Sequence, residues 1–174
     1  MLPAPSQWGS ESRLAVGTGS PVGYCPAMLR VPLHRLDEDL PVPTYAREGD
    51  AGADLIARSG VLLTRGGGRA LVPTGVAVAI PPGYGGFVLP RSGLALRHGV
   101  SCLNAPGLID SGYRGELKVI LVNHDPDEDY TVTRGDRIAQ LVLMRVEQAA
   151  FDVVDADGLG EAARGSGGFG HSGT

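Results

Sequence analysis

Five glycine-rich segments of this chain carry more charged and polar side chains than turns between strands need. They span residues 50–55, 90–94, 104–115, 134–141 and 164–173. Guanidinium groups, hydroxyls and backbone N–H groups left open by glycine are the groups that bind phosphate oxygens. Carboxylates can accept a proton from water or hold the water shell of a divalent cation. Each segment alone is compatible with an ordinary turn, but their combination is specific.

Two of these segments supply carboxylates that could do chemistry. Asp110 follows the apolar pair Leu108 and Ile109, which predicts a partly desolvated carboxylate at the end of a strand. Such a group can serve as a general base if it reaches a water molecule in line with a phosphorus atom; a simple turn is the alternative. Asp50 and Asp54 lie four residues apart, a spacing typical of a turn that also suits magnesium held through its water shell.

Other positions in these segments suit recognition of a polar or anionic ligand. Arg91, Ser92 and Gly93 are predicted to open a short helix with Ser92 as its N-cap, where free N–H groups and the helix dipole attract anions. An ordinary helix cap is the alternative. Gln140 heads a predicted strand as a hydrogen-bond donor. Asn104 carries both a donor and an acceptor, so it can read an edge that has both.

Two aromatic residues within these segments suit packing against a ligand. Phe169 is flanked by glycines near the C-terminus. It could cover a flat ring while the glycine N–H groups, Arg164 and Ser172 contact phosphates; a disordered tail is the alternative. Tyr113 can stack on a flat or sugar surface, or lie at the surface of a turn.

The composition excludes several classes of partner. A net charge of −4 argues against a general nucleic-acid-binding protein. The 15 basic residues include a single lysine; arginine suits phosphate recognition, although a GC-rich genome produces the same bias. No apolar run approaches the roughly 20 residues of a membrane span, and the N-terminus lacks the pattern of a secretory signal. Cys25 and Cys102 match neither a disulfide framework nor a zinc motif, which favours a reducing, cytoplasmic location.

The elements that must position these residues are predicted to be short strands. They lie near Val31 and at residues 61–63, 76–80, 87–89, 118–122, 130–133 and 140–146. Gly, Pro, Asn or Asp bounds most of them, as is typical of strands. Strands led by Pro32 and Pro43 are predicted to be sheet edges, and the single short helix should end at Gly99. This pattern indicates an all-β sandwich, jelly roll or barrel.

The composition also predicts three regions. Residues 1–28 are rich in Gly, Ser, Pro and Ala and are predicted to form a disordered extension, because they cannot bury enough surface to order the backbone. Residues 29–157 form the β domain. Residues 158–174, rich in glycine and small polar residues, are predicted to be a flexible C-terminal arm.

Together the five segments resemble the ordered motifs of the homotrimeric dUTP pyrophosphatases (dUTPases). The matching runs are Asp-Ala-Gly-Ala-Asp-Leu, Pro-Arg-Ser-Gly-Leu, Gly-Leu-Ile-Asp-Ser-Gly-Tyr-Arg-Gly, Gly-Asp-Arg-Ile-Ala-Gln and Arg-Gly-Ser-Gly-Gly-Phe-Gly-His-Ser-Gly. The resemblance runs from about residue 29 to residue 173. It departs only at His171, where many members carry Ser or Thr, and Ser172 keeps a neighbouring hydroxyl. It implies an all-β, dUTPase-like jelly roll of many short strands, a homotrimer, and a C-terminal arm that closes over an active site at a subunit interface.

The resemblance also implies the reaction, which is hydrolysis of dUTP to dUMP and pyrophosphate with Mg²⁺ on the triphosphate. This reaction limits uracil in DNA and supplies dUMP for thymidylate synthesis. Asp110 would be the general base, Gln140 would position phosphate and water, and Asp54 would contact the Mg²⁺ through water. The implied substrate-binding residues are Arg91, Ser92, Gly93, Asn104, Gly107, Ile109, Tyr113, Lys118, Arg164, Phe169, Gly170 and Ser172.

Within that set, the resemblance gives several residues distinct tasks. The hairpin around Asn104 would read the uracil edge, and Tyr113 would pack against the deoxyribose and leave no room for a 2′-hydroxyl. Arg164 would contact phosphate and Phe169 would cover uracil, both from another subunit. Neither a membrane nor a nucleic acid is an expected partner.

Three other interpretations remain as alternatives. The dCTP deaminases share the fold, but that family has a catalytic glutamate ten residues after its motif aspartate, where this chain has Ile120. A dUTPase-like module without catalysis, which binds nucleotide or a regulatory partner, would be expected to lack the Asp110 equivalent or the tail. A jelly-roll carbohydrate-binding or adhesion domain explains the strands but not the arginines and glycines; the run Arg134, Gly135 and Asp136 also suggests integrin adhesion.

Overall fold

The fold is all-β and is built from ten short strands and one short α-helix, counted over residues 28–162 and 165–166, the residues that this computed structural model describes. The strands are β1 (Leu33–Arg35), β2 (Ala53–Ile56), β3 (Val61–Leu63), β4 (Arg69–Val78), β5 (Tyr84–Pro90), β6 (Val100–Cys102), β7 (Gly107–Ile109), β8 (Glu116–Asn123), β9 (Tyr130–Val132) and β10 (Arg137–Arg145). Helix α1 spans Ser92–His98, and a single 3₁₀ turn spans Asp157–Leu159.

The strands form two four-stranded antiparallel sheets and one smaller pair. The first sheet has the order β1-β4-β8-β6, the second has the order β2-β10-β5-β7, and β3 pairs with β9. Neighbours in a sheet are mostly distant in sequence, so the chain crosses repeatedly between sheets, as a jelly roll does. The predicted all-β jelly-roll class is confirmed.

Both sheets contribute to one hydrophobic core. Its buried members include Val72, Leu117 and Leu121 from the first sheet and Leu55 and Val88 from the second. Branched aliphatic side chains fit a pleated, covered surface, which explains why these segments are strands. The core fixes the position of the strand ends, from which the polar segments project.

Most predicted strands are confirmed, and the errors lie where the strands are short. Strands β2, β6 and β7 were not predicted, because each is short and contains a residue more typical of turns (Asp54, Ser101 and Gly107). Strands β3 and β9 are equally short but lack such residues. The helix ends at Gly99 as predicted, with a left-handed φ of 61°. The prediction that Ser92 is the N-cap is wrong: Arg91 occupies that position, and its side chain makes no capping hydrogen bond.

The two proline predictions have opposite outcomes. Pro32 precedes β1, which is an edge strand as predicted. No strand forms at Pro43, where residues 41–45 have no regular structure, so that prediction is wrong. Within the described residues, no helix is long and apolar enough to cross a membrane.

Candidate active site

Asp54 is the centre of a cluster that links three of the sequence segments. It is a buried carboxylate on β2, and it lies directly opposite Gln140 on β10. Arg91 Nε lies 3.2 Å from Asp54 Oδ1 and Arg137 Nη1 lies 3.3 Å from Oδ2. Gln140 Nε2 donates to Oδ1 at 3.4 Å. Two cations and one anion therefore share a small surface that carries net positive charge in a chain of net charge −4.

A β-bulge determines which side chains of β10 reach Asp54. Arg137 pairs with Ile56, while Ala139 pairs with the next residue of β2, so the register shifts between them. In a regular strand, residues three apart point to opposite faces. The extra residue in the bulge places Arg137 on the same side as Gln140, because a bulge re-aims the side chains that follow it.

The backbone of Arg137 also positions Arg91. Arg91 Nη1 donates to the Arg137 carbonyl oxygen at 3.1 Å, so the guanidinium group of Arg91 is held by two different parts of the cluster. The side chain of Arg91 is 26% exposed. It therefore keeps a face open to solvent, where a phosphate oxygen can approach.

Gly93 lies next to this cluster, and its missing side chain leaves room for another arginine. A Cβ atom at position 93 would lie 3.0 Å from an Nη atom of Arg97. Arg97 thus covers the backbone of Gly93 within helix α1, and a ligand that approaches Gly93 meets that guanidinium group as well. Ser92, the first helical residue, is exposed.

A second cluster surrounds Asp110, at the end of β7. A cleft of about 300 Å³ is lined by Leu71, Asn104, Leu108, Ile109, Asp110, Tyr113, Lys118 and Ile120. A second cleft of about 280 Å³ reaches Asp110 from the side of Tyr84 and Gln148. Asp110 does follow a strand, as predicted, but it is exposed in this chain. The expected partial desolvation of Asp110 is therefore wrong for this chain.

Close packing orders the side chains of the Asp110 cleft. Gly107 is buried opposite Val88, and a Cβ atom there would lie 3.2 Å from the Asn104 side-chain nitrogen. The side chain of Asn104 therefore packs over Gly107. Tyr113 is held by a turn in which its N–H donates to the Asp110 carbonyl at 3.1 Å. Its hydroxyl donates to the Glu116 carbonyl at 3.0 Å.

The two clusters do not meet within one chain. Asp54 lies on β2 and Asp110 follows β7, and these strands are the opposite edges of one four-stranded sheet. Three strand spacings separate the edges by about 14 Å. Along β5, Gly86 pairs with Ile109, whereas Arg91 follows the other end of the strand. Five residues add about 16 Å in that direction.

An ion-pair network that the sequence analysis did not identify lies beside Lys118. Asp37 accepts two hydrogen bonds from Arg134, at 2.6 and 2.9 Å, and Arg58 lies between Asp37 and Glu116. Hydrogen bonding to Arg134 lowers the pKa of Asp37 to about 2. These residues and Lys118 line a cleft of about 520 Å³. Arg134 is thereby engaged within the fold, which argues against the adhesion interpretation.

Four of the predicted site residues belong to the part of the chain that the structure does not describe. Arg164, Phe169, Gly170 and Ser172 lie outside the described residues. Arg137 was missed as a site residue, although it stands within the fourth matching run; only its contact with Asp54 distinguishes it. Among the residues that the structure describes, no group of three His, Cys, Asp or Glu side chains could hold a metal ion.

Comparison with known proteins identifies relatives of this chain. The family model described as dUTPase matches residues 38–173. A deoxyuridine 5′-triphosphate nucleotidohydrolase of Thermobifida fusca is 58% identical over 145 residues, which cover 83% of this chain and 79% of that protein. The protein of the same name from Nocardia farcinica is 52% identical over 147 residues, covering 84% and 87%.

Solved structures are similar over the same region. The dUTPase of Staphylococcus bacteriophage 80alpha, solved with dUPNHPP, has a TM-score of 0.75 and 26% identity, and the match covers 84% of this chain and 100% of that chain. A mutant dUTPase from phage phi11 of S. aureus, described with a structural Mg(II) ion, has a TM-score of 0.65 and 25% identity, covering 74% and 99%.

Proposed function

This chain belongs to the dUTPase family, and from that premise we propose that it hydrolyses dUTP to dUMP and pyrophosphate. The observation that carries the proposal for this chain is the placement of Asp110. It lies between two clefts at the end of β7, and within the described part of the chain no cation lies within salt-bridge distance of its carboxylate. A carboxylate without such a partner can accept a proton from water.

The reaction would proceed by attack of water on the α-phosphorus. Asp110 takes a proton from the water as its oxygen bonds to phosphorus, and the bond from the α-phosphorus to the oxygen that bridges it to the β-phosphorus breaks. Pyrophosphate leaves with that oxygen. Phosphoryl transfer needs alignment and charge neutralisation more than covalent chemistry. Arg91, Ser92 and Gly93 would bind phosphates, and Gln140 would position phosphate and water.

The cleft beside Asp110 would select the nucleoside. Asn104 lies in the turn between β6 and β7, packed over Gly107, and would offer a donor and an acceptor to the uracil edge beside Ile109. This turn is not the expected hairpin, because β6 pairs with β8 and β7 pairs with β5. A close-packed backbone turn can refuse the methyl group of thymine on steric grounds, whereas an open hydrophobic pocket discriminates only about 10- to 200-fold. Tyr113 would pack against the deoxyribose. Lys118, exposed at the edge of this cleft, would contact the substrate as a cation.

A homotrimer would bring the two clusters together. On one chain they lie at opposite edges of a sheet, so the Asp54 cluster of one subunit must meet the Asp110 cleft of another to act on a single triphosphate. Leu71 and Leu108, both more than half exposed beside Asp110, supply apolar surface for such a contact. The C-terminal arm would complete the site, with Arg164, Gly170 and Ser172 at the phosphates and Phe169 over uracil.

The donor set fits a magnesium ion that is carried by the triphosphate. Among the described residues, Asp54 is the only carboxylate in its cluster, and both its oxygens face arginine or glutamine donors, so direct ligation by several protein groups does not fit. Magnesium commonly keeps several waters and uses one carboxylate together with substrate phosphates. Asp54 would therefore hold the ion through water, and the ion would supply neutralisation of phosphate charge. The enzyme would act on the cytoplasmic nucleotide pool.

The structure gives the deaminase alternative no support. Ile120, ten residues after Asp110, does line the same cleft, so the position that would carry that family's glutamate faces the site but holds an aliphatic side chain. An aliphatic group cannot transfer a proton. The non-catalytic alternative predicts that the protein binds dUTP but does not hydrolyse it.

The decisive experiment measures pyrophosphate release by the purified full-length chain with Mg²⁺, using dUTP, dTTP, dCTP and UTP in parallel. Release from dUTP alone, with dUMP as the co-product, is the expected result. Ammonia release from dCTP would indicate deamination. No product from any nucleotide, in a sample that is folded and binds dUTP, would favour the non-catalytic module.

A further inference from the structure

Glu116 is the first residue of β8, and the proposed function gives it no task. We infer that Glu116 is a positioning residue: its carboxylate anchors the loop that carries Tyr113 and thereby sets the discrimination between deoxyribose and ribose. This inference rests on the proposed function, in which Tyr113 packs against the sugar. Glu116 would act through Tyr113 and would not contact the substrate itself.

The ring of Tyr113 is held through the backbone of Glu116. The Tyr113 hydroxyl donates to the Glu116 carbonyl oxygen at 3.0 Å, and the Tyr113 N–H donates to the Asp110 carbonyl oxygen at 3.1 Å. Tyr113 is 43% exposed, so packing alone does not fix its ring. The position of the Glu116 carbonyl oxygen therefore determines where the hydroxyl end of the ring lies.

The hydrogen-bond ladder between β8 and β4 is irregular where β8 begins. Lys118 of β8 lies opposite Pro73 of β4. Two residues earlier in β8, Glu116 lies opposite Ala77, which is four residues further along β4. Such an irregularity leaves part of the ladder unmade, and a proline adds no N–H donor to it. The backbone at Glu116 therefore needs a further contact to fix its position.

The carboxylate of Glu116 makes that contact. Its Oε1 atom accepts a hydrogen bond from the Gly75 N–H at 2.9 Å, within the irregular part of β4, and a longer one from Arg58 Nη1 at 3.4 Å. The side chain of Glu116 is only 15% exposed, so water replaces a lost acceptor poorly at this place. The carboxylate and the carbonyl of one residue thus connect β4 to the ring of Tyr113.

The ion-pair network around Asp37 does not depend on Glu116. Asp37 accepts hydrogen bonds from Arg134 and lies 3.3 Å from Arg58 Nε. Arg58 also donates to the Leu36 carbonyl oxygen at 3.0 Å. Removal of the Glu116 carboxylate leaves these contacts in place, so a substitution at this position tests the anchor to Gly75 and not the whole network.

The test measures selectivity for the sugar with and without turnover. One readout is the ratio of kcat/KM for dUTP to that for UTP, and the other is the ratio of the Kd values of UMP and dUMP from calorimetry. Glu116→Ala should lower both ratios by about 10-fold, the scale at which a pocket rejects one small group. Glu116→Gln keeps an acceptor oxygen for the Gly75 N–H and should lose much less. Glu128→Ala, at an exposed glutamate beyond the other end of β8, is the matched control and should leave both ratios unchanged.

A double-mutant cycle with Tyr113→Phe shows whether Glu116 acts through the tyrosine hydroxyl. That hydroxyl is absent in Tyr113→Phe, so the further change Glu116→Ala should lower the ratios by less than about twofold in this background. A further loss as large as in the unmodified background would overturn the inference. A lower melting temperature in Glu116→Ala with both ratios unchanged would also overturn it, because the role of Glu116 would then be structural only. Equal losses in Glu116→Gln and Glu116→Ala would show that the acceptor oxygen is not the anchor.

Folding controls and the binding readout keep the outcomes distinct. Circular dichroism and gel filtration establish that each variant keeps the fold and assembly of the unmodified protein. If Glu116→Ala does not fold, Glu116→Asp carries the test, since its shorter side chain withdraws the acceptor from Gly75, and unchanged ratios in that variant overturn the inference. Hydrolysis of dUTP with unchanged ratios overturns the inference alone. A protein that binds dUMP in preference to UMP but hydrolyses no nucleotide overturns the proposed function, and the Kd ratios still decide the inference.

Discussion

Gly115 lies under the ring of Tyr113, and its replacement by alanine should move that ring. A Cβ atom at position 115 would contact the Tyr113 hydroxyl and lie 2.7 Å from its ring carbon Cζ. The φ angle of Gly115 is not positive, so alanine fits the backbone and the clash involves the ring alone. The ring lies at the surface and can rotate away, but it then loses its hydrogen bond to the Glu116 carbonyl.

Gly115→Ala should have a small effect on stability and a larger effect on selectivity between dUTP and UTP. Tyr113 is 43% exposed, so loss of one hydrogen bond should reduce the free energy of unfolding by only about 1 kcal/mol. For a chain of this length that lowers the melting temperature by about 2–4 °C. If Tyr113 excludes the 2′-hydroxyl, its displacement should lower the ratio of kcat/KM for dUTP to that for UTP by about 10-fold or more, the scale at which a pocket rejects one small group.

The assay measures kcat/KM for both nucleotides by pyrophosphate release, together with thermal unfolding at a fixed protein concentration. Gly112→Ala is the matched control in the same loop. A Cβ atom at position 112 meets nothing within 4 Å, and its φ angle is not positive. This control should retain the stability and the selectivity of the unmodified enzyme.

Two outcomes would refute the reasoning. An unchanged ratio of dUTP to UTP turnover in Gly115→Ala, with the small loss of melting temperature present, would mean that Tyr113 does not exclude the 2′-hydroxyl. An equal loss of activity toward both nucleotides would mean that the loop supports catalysis in general and that its ring does not select the sugar.

Three further predictions test the base, the core and the ion-pair network. Asp110→Asn should reduce kcat by about 10²–10⁴-fold while dUTP still binds, because only the proton acceptor changes; wild-type kcat would remove Asp110 from that role. Gly86→Ala should lower the free energy of unfolding by about 1–3 kcal/mol in urea titrations, since its Cβ atom would lie 2.8 Å from Ile80 Cδ1. An unchanged urea midpoint would show that the core has room for a methyl group at position 86. The pKa of Asp37 is lowered from 3.8 to about 2 by Arg134, so its stabilising contribution is complete above about pH 4 and disappears as the pH falls through 2. Arg134→Gln should therefore have a lower free energy of unfolding than the unmodified protein at pH 6, and the difference between the two should shrink between pH 4 and 2. A constant difference across this range would show that ionised Asp37 does not gain stability from Arg134.

The sequence by itself determined the fold class, because the signals for it are local. Val61–Leu63, Tyr130–Val132 and the core of β10 are strands as predicted, since β-branched and apolar residues bounded by turn formers leave little choice. Gly99 ends the only α-helix of the described residues, as a glycine that adopts a left-handed φ does. The five polar segments were likewise visible, since their glycines, arginines and carboxylates exceed what turns require.

Local signals were too weak for some of the short elements. Strands β6 and β7 have three residues each, so they form only because β8 and β5 provide partners in the sheet. Ser92 has the side chain of an N-cap, yet the helix begins one residue earlier than that preference indicates. An N-cap preference is worth only about 1 kcal/mol, so it does not by itself determine where the helix begins.

Only the tertiary structure decided how the polar residues are grouped. Asp37 and Arg134 are 97 residues apart in sequence, and nothing in either segment indicates that they pair. The bulge that turns Arg137 toward Asp54 depends on the register between β10 and β2, which hydrogen bonding across the sheet sets. The distance between the Asp54 cluster and Asp110 follows from strand order, and strand order depends on contacts between residues distant in sequence. Residue types therefore specified the chemistry, while the sheets determined which of these groups share a surface and which lie apart.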